Sequence, residues 1–101
     1  MMDDIEITIT QLIWDDWNIE HIARHDVVPE EVERSLSDPD ALFLKAKEGR
    51  VMVLGRTGKR LLTIVLNAQE INGIYYVITA RDMSKKAVSY THLTLPTNRE
   101  V

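Results

Sequence analysis

The apolar positions of this chain change period as it proceeds, and the changes mark its elements. Ile5, Ile7 and Ile9 alternate with Glu6, Thr8 and Thr10, the two-residue repeat of an extended segment, which continues into Leu12-Ile13-Trp14. Asp15 or Asp16 then stands where a carboxylate can cap the free amides of a helix running to about Arg24. Ile19, Ile22 and Ala23 fall on one stripe of that helix, which Trp17 cannot join. A second helix is predicted from Pro29-Glu30-Glu31, where the missing N–H costs nothing and negative charge suits the helix N-terminus. It turns Val32 and Leu36 to the core and stops at Ser37-Asp38-Pro39-Asp40.

From Ala41 onward the pattern is that of strands. Ala41–Lys47 and Arg50–Arg56 are separated by Glu48-Gly49, a tight hairpin signal, and Gly58-Lys59 turns the chain again into Arg60–Leu66. A longer polar turn over 67–73 leads to a last strand from Gly73 to Arg81, and a short helix is predicted after Asp82 or Ser84. Short consecutive connections imply an antiparallel meander. The predicted fold class is therefore α+β, with two N-terminal helices packed on a meander sheet and a short C-terminal helix.

A chain of 101 residues, 45% hydrophobic, has material for one domain and one core. With no cysteine it has neither a disulfide framework nor a thiolate metal site. The acidic start Met1-Met2-Asp3-Asp4 is unlike a signal peptide, and no apolar run has the length of a membrane span. A cytoplasmic protein with no metal, no cofactor and no membrane partner is the expectation. The formal net charge of −4 conceals a division: residues 1–40 hold twelve Asp/Glu against two Lys/Arg, whereas residues 41–101 hold ten Lys/Arg against four Asp/Glu. Such asymmetry fits one anion-facing surface, since the local field steers a polyanion, and it fits equally two ordinary faces of a domain.

Two runs carry the candidate chemistry. Arg50-Val51-Met52-Val53-Leu54-Gly55 puts an arginine at the entry of a buried strand, and Ile78-Thr79-Ala80-Arg81 puts another at the exit of the last. Guanidinium groups so placed either hold phosphate oxygens with their planar fork or are solvated strand ends. His21 and His25 lie four apart on one helix face, but no third ligand follows at metal-site spacing. Near the helix C-terminus His25 or Arg24 complements the macrodipole; the other reading gives Arg24 and His25 a catalytic or phosphate-binding role.

Trp14-Asp15, Arg24-His25, the run from Arg50 to Gly55 and the run from Ile78 to Arg81 resemble, in order and spacing over about residues 12 to 90, the BrnT family of type II toxins. The resemblance implies a RelE-like fold and an endoribonuclease that works without a metal and inhibits translation by cleaving RNA. It also implies neutralisation by a BrnA antitoxin with a ribbon-helix-helix part, with dimerisation inside that complex a further expectation. Carried over by position, Arg50, Arg81 and His25 become the catalytic candidates. Arg24, the other half of the basic-His pair, becomes an RNA contact, and Trp14 matches the family's first-strand tryptophan, where core packing is the preferred role. Apart from the resemblance, the cations Arg56, Lys59, Arg60 and Lys85 are expected to contact flanking phosphates. The alternative is a non-catalytic module of the same shape that binds an antitoxin or nucleic acid.

Two positions and the tail depart from the family pattern. Asp26 stands where the family has glycine leaving the helix with positive φ, and Val51 follows the strand arginine where an aromatic residue would offer a base-stacking surface, a role left to Tyr75 or Tyr76. The expected domain is 1–90. Residues 91–101, from Thr91-His92-Leu93 through Pro96 to the end, lack helical period and resemble adapter-derived read-through, so a disordered or non-native tail is expected and His92 is given no role.

Overall fold

The computed structural model describes residues 7–89; residues 1–6 and 90–101, with the tail from 91, lie outside the described part. In chain order the elements are β1 (Gln11–Ile13), α1 (Asp16–Ala23), α2 (Pro29–Leu36), β2 (Leu42–Lys45), β3 (Arg50–Thr57), β4 (Arg60–Ala68), β5 (Ile74–Asp82) and α3 (Lys85–Ser89). The five strands form one sheet in the order β1-β5-β4-β3-β2. The predicted meander is present from β2 to β5, each pair antiparallel. β1 departs from it: Gln11, Leu12 and Ile13 pair in parallel with Ile74, Tyr75 and Tyr76, which makes the sheet mixed. Parallel pairing needs a long crossover, and here the two helices and three strands between β1 and β5 provide it. Ile7–Thr10, part of the predicted extended segment, is not in a strand.

Residues directly opposite each other in a ladder share a face. Val51 and Val53 of β3, Leu62, Ile64 and Leu66 of β4, and Val77 and Ala80 of β5 form a buried cluster with Ile22, Val27 and Val32 from the helical layer. A register shift between Val65 and Leu66 brings both Ala80 and Val77 to this face although they are three residues apart. The opposite face carries Arg50, Met52, Leu54 and Arg56 of β3 and Arg81 of β5; Leu44, Leu54 and Leu61 are buried there. Burial of apolar surface on both sides is the main favourable term holding the sheet.

Helix α2 rests on β3 at Gly55, the last residue of the Arg50–Gly55 run. A Cβ at that position would meet the carbonyl oxygen of Ser35 at 2.6 Å, so only glycine lets the helix come so close. Val32 and Ser35 are buried and Leu36 packs against the core, close to the predicted stripe. In α1 the stripe differs from the prediction: Asn18 and Ile22 are buried, whereas Ile19 and Ala23 are exposed.

Asn18 explains that difference. Its backbone N–H donates to Asp15 Oδ1 and its Oδ1 accepts from the Asp15 N–H, both at 2.9 Å, closing a capping box at the predicted N-cap. Its Nδ2 donates to the carbonyls of Ile13 (2.9 Å) and Val77 (3.1 Å), tying α1 to β1 and β5. A buried polar residue is tolerated because every group it carries is satisfied. Trp14 packs against the core and its Nε1 donates to Glu33 of α2 (3.1 Å), which fits the packing role. Among the described residues no helix is long and apolar enough to cross a membrane.

Candidate functional site

Strand alternation decides where the candidate residues sit. Arg50 pairs with Asn67 and Arg56 with Leu61 across β3 and β4, while Arg81 of β5 pairs with Thr63. All three arginines therefore lie on the face away from α1 and α2. Along that face Arg81 is one ladder step of two residues and two strand spacings from Arg56, about 12 Å between Cα atoms by standard strand dimensions. From Arg50 it is separated by four residues and two spacings, about 16 Å. Arg56 thus lies nearer to Arg81 than Arg50 does. The two strand arginines singled out by the sequence share a face but stand at opposite ends of it.

The end that holds Arg81 gathers the other candidates. Lys59 is exposed at the tip of the β3–β4 hairpin, Lys85 opens α3 just after β5, and Arg24 is the exposed C-cap of α1. Among the described residues the side chains of Arg24, Arg56, Lys59, Arg81 and Lys85 make no hydrogen bond or ion pair. The Arg56 backbone amide donates to Asp38 Oδ2 (3.2 Å), two residues beyond Leu54, where the pairing of β2 with β3 ends.

Arg60 stands apart from this set. It lies on the helical face, one residue from the hairpin tip, with its fork turned inward. Nε donates to Asp82 Oδ1 (2.7 Å), Nη2 to the carbonyl of His25 (2.9 Å), and Nη1 to the carbonyl of Asp26 and to Glu31 (3.1 and 3.2 Å to its two oxygens). The Asp82 hydrogen bond, with the charges of Asp82 and Glu31, holds Arg60 above the ordinary guanidinium value despite its partial desolvation. Sequence reasoning had no signal for Asp82 or Glu31 as its partners. Asp82 reaches Arg60 through sheet register alone, and Glu31 reads as a first-turn acid of α2.

His25 sits immediately after the C-cap of α1, half-buried, with its N–H on the Ile22 carbonyl (2.9 Å). Its ring meets His21 edge to face at 5.8 Å, and His21 stacks on the largely exposed Trp17 at 4.9 Å with 6° between planes. Three aromatic rings at four-residue spacing so run along α1 and end at His25. Among the described residues no three His, Asp or Glu side chains come together as a group that could hold a metal ion.

Two expectations about aromatic residues change. Val51 is in the core cluster at 6% exposure, so an aromatic residue there would enlarge the core and would offer nothing to a base. Tyr75 also packs against the core. Tyr76 is on the arginine face, in the same rung as Asn67 and Arg50, with its hydroxyl donating to the Asp15 carboxylate at 3.0 Å.

No curated protein and no solved structure matches the chain. The family described as the ribonuclease toxin BrnT of type II toxin–antitoxin systems matches residues 14–87, from the core tryptophan through the first turn of α3. That span takes in the two-helix layer, the whole meander and every candidate residue. The chain belongs to the BrnT family of ribonuclease toxins of type II toxin–antitoxin systems.

Proposed function

We propose that this chain is a metal-independent endoribonuclease that acts in the cytoplasm to inhibit translation, held in check by a ribbon-helix-helix antitoxin of the BrnA type. The observation that carries this reading is that Arg56 and Arg81 share one face of the sheet, on β3 and β5 with β4 between them, and have no internal side-chain partner among the described residues. In the proposed reaction a ribose 2′-oxygen attacks the adjacent phosphorus. The bond to the 5′-oxygen breaks, leaving a 2′,3′-cyclic phosphate and a 5′-hydroxyl. Charge grows on the non-bridging oxygens, and guanidinium groups that close on them lower its energy without moving a proton.

In this arrangement Arg81 is the phosphate-holding residue and Arg56 its nearer companion, with Arg24, Lys59 and Lys85 on flanking phosphates, where binding is salt-sensitive and carries no sequence information. His25, at the same end but on the helical side of the sheet, is the proton carrier in this reading. That role requires the RNA strand to pass over that end of the sheet, so that the imidazole takes the 2′-hydroxyl proton or supplies one to the leaving oxygen. Arg50 at the far end of the face serves a more distant phosphate. The separation of Arg50 from Arg81 favours one competing reading, a non-catalytic module that binds RNA or antitoxin through the same surface. Incubation of the purified protein with RNA in EDTA separates the two. Products ending in 2′,3′-cyclic phosphate support the enzyme, and RNA that is bound but stays intact supports the module.

A further inference from the structure

Arg60 touches both halves of the proposed catalytic end without belonging to its exposed surface. A guanidinium has five N–H groups, and four of those on Arg60 point at partners within the protein. The partners come from three separate parts of the chain. Asp82 closes β5 and is the neighbour of Arg81; the carbonyls of His25 and Asp26 belong to the α1–α2 connection; Glu31 is in the first turn of α2 and also accepts from the Val28 N–H at 3.1 Å. Asp26 has φ of 60°, a left-handed turn at which two consecutive carbonyls face a single fork. The side chains of Arg60 and Glu31 each retain a quarter of their exposure, whereas Asp82 retains 67%. What is sheltered is the fork's grip on the helical connection.

We infer that Arg60 is a positioning residue, a buckle between β5 and the α1–α2 connection that fixes His25 relative to Arg81. This rests on the ribonuclease reading above for its catalytic consequence, but the buckle itself does not. His25 is on the helical side of the sheet and Arg81 on the other, so no direct contact sets their spacing; the two-bond path from the His25 carbonyl through Arg60 to Asp82 does. Lysine could keep the charge of Arg60 but, with three N–H groups on one nitrogen, could not hold four acceptors along a planar fork. An RNA-contacting role predicts the reverse ranking, because a point charge serves a phosphate nearly as well.

The test compares Arg60→Ala, Arg60→Lys and Asp82→Asn with the wild type by four measurements: the His25 ring resonances and their pH titration, amide exchange over 24–28, salt dependence of binding to a 2′-deoxy oligonucleotide that cannot be cleaved, and kcat against KM for RNA. As a buckle, all three substitutions move the His25 resonances and speed exchange at 25–27. They lower kcat by about tenfold or more, with KM changed less than threefold and the salt slope unchanged. Arg60→Lys rescues little. Unmoved His25 resonances with wild-type exchange would overturn the inference, whether or not the protein cleaves RNA. So would a smaller salt slope in Arg60→Ala, a wild-type slope in Arg60→Lys and a silent Asp82→Asn, which together describe a phosphate-binding side chain. Wild-type protein that leaves RNA intact, yet shows the resonance and exchange changes, would sink the ribonuclease reading and leave the buckle standing.

Discussion

The two faces of the sheet are written into the same eight residues of β3, and they obey different rules. On the helical side Val51, Val53 and Gly55 meet close-packed neighbours, and Gly55 has no room for even a methyl group. On the other side Arg50 and Arg56 flank Met52 and the buried Leu54, and the arginines make no side-chain bonds among the described residues. Arg60 and Arg81 repeat the contrast at one end of the sheet: the first is spent on internal partners, the second is exposed and unpaired among the described residues. Charge alone does not tell a binding arginine from a fastening one. The face of the strand and the partners waiting on it do.

The largest effect should separate the two arginine positions on the proposed RNA-binding face. Loss of a donor that meets a developing oxyanion costs about 10²–10³-fold in rate. Arg81→Ala is expected to lower RNA cleavage by that factor with its melting temperature unchanged, whereas Arg50→Ala should cost less than roughly tenfold, as expected of one flanking phosphate. Equal losses at the two positions would mean that substrate draws both ends of the face onto one phosphate, and would restore the pairing read from the sequence. A fall in melting temperature for Arg81→Ala would move Arg81 to the structural side of the comparison.

Next in size is a substitution on the packed face. In Gly55→Ala the new methyl carbon would sit at 2.6 Å from backbone of α2, which has to move away. Overpacking of this kind costs about 1–3 kcal/mol, and for a domain of this size each kcal/mol lowers the melting temperature by about 4–8 °C. Thermal unfolding followed by circular dichroism reads this directly. An unchanged melting temperature would show that α2 does not rest on Gly55 as tightly as the geometry says.

Much of this layout is legible from local signals. The Asp15 cap, the Pro29 start, the Glu48-Gly49 turn with φ of 62° and 74°, and four meander strands each follow from a few adjacent residues. The parallel placement of β1 is not legible, because its pairing with β5 depends on residues some sixty positions away. Asn18 escapes sequence reasoning for a related reason. Its capping-box spacing with Asp15 is present in the sequence, but its burial is secured by carbonyls of Ile13 and Val77 that only the fold brings near. At the candidate site, charge and residue type pick out Arg24, His25, Arg56, Lys59 and Arg81, which the fold gathers at one end of the sheet. They cannot show that Arg60 points inward, since that depends on the register that sets Asp82 beside it.

A smaller effect should follow from removing the outer cations at the proposed active end. Arg56→Ala with Lys59→Ala is expected to weaken RNA binding alike for all sequences. The slope of log affinity against log salt should fall by about 0.7 for each phosphate of a single strand that the variant no longer neutralises. Replacing Arg50 and Lys47 at the other end in the same way should leave the slope closer to wild type. A steeper loss at the Arg50 end would reverse the polarity assigned to the face.

The smallest effect concerns Asp26, where the chain leaves α1 for α2. Its φ of 60° is unfavourable for a residue with a Cβ by about 1–2 kcal/mol, less for aspartate, whose short polar side chain eases the left-handed region. Glycine removes that strain but gives the unfolded chain more freedom, a loss of about 0.5–1 kcal/mol. The two terms oppose each other, so Asp26→Gly should change stability by less than about 1 kcal/mol, while Asp26→Ala keeps the strain, loses the polar side chain and should be the less stable of the pair. Denaturant titration of the two variants resolves the difference. Because the Asp26 carbonyl, and not its side chain, is bonded to Arg60, neither substitution should release the His25 connection if the turn keeps its shape. Faster exchange at 25–27 in Asp26→Ala but not in Asp26→Gly would show that the left-handed turn is what presents the two carbonyls to Arg60. Faster exchange in both would place a share of the connection's order in the aspartate side chain itself.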